Sequence, residues 1–165
     1  MKRRVVITGV GPVTPIGTGK ETFWNNLIAG KSGVGIITRF DPTDFDVKIA
    51  GEVKNFEYAD YMDKKEGKRM DRVTHFAVAA AKLAVEDAKL DLEKINQVRA
   101  GVCVGSGIGG IETFVEQTTK YVEKGPSKIS PFFIPMEIPN MPAGQISIAL
   151  GFKGPNTAIV TACAT

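Results

Sequence analysis

Two periods of hydrophobicity alternate along this chain. Val5 to Val10 forms an apolar run closed by Gly11 and Pro12, and it predicts a buried strand of the parallel-sheet type. Thr18-Gly19-Lys20-Glu21 has the form of a capping box. It predicts a helix whose apolar face is Phe23, Trp24, Leu27 and Ile28, stopped at Gly30. Asp41-Pro42 marks a turn, and Ile49 to Val53 a short strand. Val73, Phe76, Ala77, Ala80, Ala81, Leu83, Ala84 and Ala88 repeat at helical spacing over 73–88, and the alanines predict close packing against a neighbour. Val98 to Val104 reads as the next strand. Ile111 to Glu123 then reads as a helix with Phe114, Val115, Thr118, Tyr121 and Val122 inward, closed by Gly125-Pro126. Residues 130 to 142 hold four prolines among Phe132, Phe133, Ile134 and Met136, which predicts neither helix nor central strand. Asn140 can cap a helix to Leu150, with Gly151 after it. Thr157 to Val160 is the last strand, running into Thr161-Ala162-Cys163-Ala164-Thr165.

Strands alternating with helices predict an α/β domain over residues 1–165, built on a largely parallel, buried sheet. With 43% hydrophobic and 24% charged residues, the chain is neither disordered nor a coiled coil. A net charge of +3 gives no case for a wholesale nucleic-acid binder. No apolar stretch approaches a membrane span. The start, Met1-Lys2-Arg3-Arg4, is not a secretory leader, because Gly9, Gly11, Pro12 and Pro15 break the apolar run behind it. Two distant cysteines, Cys103 and Cys163, fit a reduced, cytoplasmic protein.

Four features carry candidate chemistry. Gly105-Ser106-Gly107-Ile108-Gly109-Gly110 fits a dinucleotide fingerprint between a strand and a helix. That reading expects an acidic residue about twenty positions on, where Gly125-Pro126 stands instead. The other reading is glycine permitting close backbone packing beside a site. Cys163 follows a β-branched strand and lies between alanines, which suits a sharp strand-to-helix turn presenting a nucleophile. A helix starting there would favour the thiolate, and its amides could hold an oxyanion. The plainer reading is a small buried hydrophobe. That is also the expected role of Cys103, inside its strand. His75, the only histidine, reads as a surface or satisfied core residue, so Cys163 has no evident acid or base within the chain. The mixed charges of Asp63 to Arg72 form either a solvated face or a docking patch for an acidic partner.

Taken together, Val5 to Gly11, Gly105 to Gly110, Ser130-Pro131-Phe132-Phe133, Gly151 to Pro155 and Thr161 to Thr165 resemble the β-ketoacyl synthases, most closely the bacterial type II elongation enzymes. The resemblance covers the whole chain. It implies a thiolase-like fold of five layers (αβαβα), with this chain covering most of the first of two similar halves. It implies fatty-acid elongation by decarboxylative condensation, with acyl carrier protein as partner, malonyl and acyl thioesters as substrates, and no cofactor or metal. By the same resemblance Cys163 is the nucleophile, and its amide is half of an oxyanion hole. Gly107, Ile108, Ile111 and Ala162 line the acyl pocket, and Phe133 reaches the pocket of the partner in a homodimer. Lys65, Lys68 and Arg69 meet the carrier protein.

The family's two catalytic histidines, lysine and gating phenylalanine match no residue here, so the polypeptide is expected to continue past Thr165. The segment 1–165 alone is therefore expected to give no condensation product from acyl- and malonyl-carrier protein. A product assay by mass spectrometry checks this, and measurable β-ketoacyl product would overturn it.

Overall fold

The computed structural model describes residues 3–165, so Met1 and Lys2 of the leader reading lie outside it. A small hairpin comes first: β1 (Val13–Thr14) pairs antiparallel with β2 (Gly17–Thr18). Helix α1 (Lys20–Ile28) follows. A second antiparallel pair joins β3 (Val34–Ile36) to β4 (Ile49–Gly51). The short α2 (Lys64–Gly67) leads through Asp71 into α3 (Arg72–Asp87). Strand β5 (Val102–Gly105), α4 (Ile111–Lys124), α5 (Phe133–Glu137), α6 (Met141–Leu150) and β6 (Asn156–Ile159) complete the order. Strands β5 and β6 are parallel, with Val102 opposite Asn156 and Gly105 opposite Ile159.

The core sits where α6 packs between α3 and the β5–β6 pair. Val78, Ile146 and Leu150 are its buried centre, and Met62, Ala81, Val85, Val102, Val104 and Phe152 pack around them. Ala79 and Ala143 are fully buried, and their single methyl groups let other side chains fill the contact. The Asn156 amide donates to the Ala143 carbonyl (2.9 Å) and to Ser147 Oγ (2.6 Å), fastening the start of β6 to α6. Gly151, at φ 71°, ends α6 in the left-handed conformation expected of a C-terminal glycine.

Helix α3 is the scaffold. On one face Thr74, Val78 and Ala79 are buried. On another, the predicted alanines receive the N-terminal segment. A β-carbon at Gly9 would lie 2.3 Å from the Ala84 carbonyl oxygen, and one at Gly11 would lie 2.0 Å from that of Ala80. The Val10 amide also donates to Asp87 (3.0 Å), whose carboxyl is held below its ordinary range by Lys20 first and by this amide second.

Several expectations are corrected. Residues 5–10 are not a buried strand: Val5 and Ile7 are 90% and 87% exposed, and no strand pairs with them among the described residues. The segment docks on α3 through glycines, which turns its valines outward. The capping box does not form, because Thr18 is used in the hairpin and Gly19 is the N-cap of α1, without a side-chain cap. Trp24, Leu27 and Ile28 are exposed, as are Phe114, Val115, Tyr121 and Val122 of α4. Periodicity found both apolar stripes; it does not say what covers them. Helix α4 is instead held by its buried polar residues, with Gln117 Oε1 accepting from the Ser130 amide at 2.8 Å. Residues 130–142 do contain helix, since Pro135 and Pro142 fall in the first turns of α5 and α6, where no intrahelical N–H is needed. Strand β5 starts at Val102, because Gln97–Arg99 is a 3₁₀ turn capped by the Asn96 side chain.

Asp71 joins the parts. It is 5% exposed; one carboxylate oxygen caps α3 at the Val73 amide (3.0 Å), and the other accepts from the Thr113 amide at the start of α4 (2.8 Å). Asp71→Ala removes a cap and leaves a buried N–H unpaired. The expected cost is about 2–4 kcal/mol, read as a lowered urea midpoint of the intact protein; an unchanged midpoint would contradict this role.

Candidate active site

The parallel register of β5 and β6 carries two turns to the same end of the sheet. Beyond β5, the Ser106 amide donates to the Ile159 carbonyl (3.1 Å), which extends the pairing into the glycine-rich turn. Ser106 is 8% exposed, and its Oγ accepts from the Gly109 amide at 3.0 Å. That bond closes the turn on itself. Gly109 has φ 77°, and a β-carbon there would lie 2.4 Å from the Glu137 carbonyl oxygen. At Gly110 the corresponding contact is 2.3 Å to the Met136 carbonyl oxygen. The Gly110 amide donates to the Glu137 carbonyl at 2.7 Å. These two glycines are therefore backbone-to-backbone contacts with α5, as the packing reading of the motif expects.

Beyond β6, the chain turns through Thr161 into a 3₁₀ turn, Ala162–Ala164. Ala162 has φ 51°, a conformation that costs a non-glycine residue on the order of 1–2 kcal/mol. The small side chain makes it tolerable. Thr165 Oγ1 accepts from the Thr161 amide (2.8 Å), closing the bend. The Thr165 methyl meets the open side of Gly105, where a β-carbon would be 2.5 Å away. Cys163 sits in the middle of this bend and is an exposed free thiol. The expected sharp turn is present. Within the described residues the chain at Cys163 forms a 3₁₀ turn of three residues, Ala162–Ala164.

The structure brings Gly107 to the cysteine turn: a β-carbon on it would be 3.8 Å from the Ala162 carbonyl oxygen. Ile108 is 64% exposed beside it, and Ile111 begins α4 at 47% exposure. Phe133, at the start of α5, lies against Phe114 of α4 with ring centroids 6.2 Å apart. Cys103 is exposed rather than core, because side chains alternate across β5 and only those of Val102 and Val104 face the core. His75 is a satisfied structural residue, bonded to the Gly67 carbonyl at 2.8 Å. Lys65, Lys68 and Arg69 are exposed on and just after α2. Arg69 lies 4.6 Å over the Phe132 ring. Nearby on α3, burial and then the charge of Arg39 pull Arg72 below the ordinary arginine range.

Ser106, Thr165 and Asp71 escaped the reading of the sequence. Ser106 and Asp71 had a legible signal, a hydroxyl three residues before a glycine and an aspartate just before a helix. Thr165 had none. A wide groove of about 820 Å³ between Gly9, Val10, Trp24, Ala80 and Ala84 shares no residue with the cysteine turn. Among the described residues no His, Cys, Asp or Glu group is arranged to hold a metal, and no helix is long and apolar enough to cross a membrane.

Known proteins fit this geometry. The family model described as the β-ketoacyl synthase N-terminal domain matches residues 2–165. The 3-oxoacyl-[acyl-carrier-protein] synthase 2 of Staphylococcus aureus (strain COL) is 53% identical over 163 residues, which are 99% of this chain and 39% of that protein. The protein of the same name from Synechocystis is 50% identical over 163 residues, with the same 99% and 39% coverage. Among solved structures, the ishigamide ketosynthase/chain length factor matches with a TM-score of 0.90 at 31% identity, over 98% of this chain and 40% of that one. The chain thus spans about two-fifths of the length of these relatives. It belongs to the β-ketoacyl synthase family and has the α/β, thiolase-like fold of the ketosynthases.

Proposed function

We propose that this chain is the amino-terminal part of a type II β-ketoacyl-(acyl carrier protein) synthase, an acyltransferase that elongates fatty acids. Cys163 Sγ attacks the thioester of an acyl-carrier protein, and the carrier thiol leaves. Malonyl-carrier protein loses carbon dioxide, and the resulting carbanion attacks the acyl-Cys163 thioester. The Cys163 thiolate departs, leaving a β-ketoacyl-carrier protein two carbons longer. The bonds balance without cofactor or metal. The Cys163 amide contributes to stabilising the oxyanion of each tetrahedral intermediate.

The observation that carries this reading is the exposed Cys163 on a bend strained at Ala162, with the glycine turn beside it, where a β-carbon on Gly107 would be 3.8 Å from the Ala162 carbonyl oxygen. Gly107, Ile108, Ile111 and Ala162 line the acyl pocket, and Phe133 reaches the pocket of the partner in a homodimer. The exposed apolar residues of α4 supply surface for such an interface. Lys65, Lys68 and Arg69 receive the acidic carrier protein, and the enzyme acts in the cytoplasm. The names of the curated relatives support the substrate class. The family match and the curated relatives lend the nucleotide reading no support.

Incubating the intact gene product with acyl-carrier protein and mapping the adduct tests the proposal. An acyl thioester is expected on Cys163, absent from Cys163→Ala and never on Cys103. A folded protein that takes no acyl group at Cys163 would sink it.

A further inference from the structure

The four-residue α2 is too short to hold its shape unaided. Its N-terminus is secured by Asp63, whose carboxylate accepts from the Lys65 amide (2.8 Å) and the Glu66 amide (3.1 Å). Its other end is secured from outside. The Gly67 carbonyl accepts from the Met70 amide at 3.0 Å and lies 2.8 Å from His75 Nε2. A carbonyl can only accept, so His75 carries its hydrogen on Nε2 and donates it. The imidazole stacks on Tyr58, with ring centroids 4.5 Å apart and planes 17° apart. Tyr58 in turn presses on Gly67, where a β-carbon would be 2.4 Å from the ring. Gly67 is buried between them.

The geometry points to His75 as a positioning residue for carrier-protein docking. From the rigid α3 it clamps the C-terminal end of α2, and so fixes the directions in which Lys65, Lys68 and Arg69 present their charges. This rests on the docking reading proposed above. Loss of the clamp leaves the three cations in place but lets the segment 64–70 sample other conformations. Each productive encounter then carries the entropy of re-ordering it. Neither the cysteine turn nor the glycine turn contacts His75 through any hydrogen bond, so the chemistry at Cys163 is left alone.

Steady-state kinetics on the intact enzyme test this with two acyl donors, acyl-carrier protein and a carrier-free acyl-pantetheine thioester. His75→Ala is expected to raise KM for the carrier-bound donor roughly fivefold, the factor expected for one lost hydrogen bond. Its kcat, and kcat/KM for the carrier-free donor, should stay unchanged. His75→Gln, which keeps an N–H donor, should recover most of the loss. Hydrogen exchange at the amides of 64–70 should quicken in His75→Ala. Equal losses with both donors, or an unchanged carrier KM, would overturn the inference. Should His75→Ala not fold, His75→Phe keeps the stack and removes the donor, and a wild-type carrier KM in it would be equally fatal. The triple change Lys65→Glu, Lys68→Glu, Arg69→Glu separates the two readings. If it leaves the carrier KM unaltered, the docking patch itself is wrong; if it raises KM while His75→Ala does not, only the clamp is wrong.

Discussion

Everything at the candidate site depends on the parallel pairing of β5 with β6. In a parallel pair both strands end on the same side, so whatever follows each strand meets its counterpart. Here Gly105 stands opposite Ile159, and the Ser106 amide carries the ladder one step further. The glycine turn and the cysteine turn become neighbours because of that register. A slip by one residue would turn Val102 and Val104 away from the core and move Gly107 off the Ala162 carbonyl.

The pairing is in turn held by α6, which covers it, and by α3 behind α6. Val78, Ile146 and Leu150 exclude water there. Asn156 ties the strand to the helix with two hydrogen bonds. Asp71 extends the same rigid body to α4, so the helix that follows the glycine turn is anchored to the helix that follows the basic segment. The basic segment and the cysteine turn are thus linked through one frame, and the glycine and cysteine turns are short segments on its rim.

The apolar surface left open is as informative as the core. Val5, Ile7, Trp24, Ile28, Val115 and Val122 are all largely exposed, on segments that the hydrophobic pattern marks for burial. The chain spans about two-fifths of its relatives' length. Apolar surface of this extent is the kind that marks contact faces.

The sequence by itself determined the elements whose cause is local. Helix α3, the stops at Gly30 and Gly151, the Asp41-Pro42 turn, the final strand and the bend at Cys163 follow from spacing, glycine conformation and small neighbours. The family resemblance was equally legible, in its motifs and their spacing. Tertiary structure decided what is covered and what pairs. It exposed Cys103, gave α4 a polar anchor in Thr113 and Gln117, let prolines open two helices and spent Thr18 on a hairpin. It also made Asp71, Ser106 and His75 into long-range or turn-closing fasteners. The reason is physical: a hydrophobic period reports which face seeks burial, whereas burial itself and a buried polar group's partner depend on residues far away in the chain.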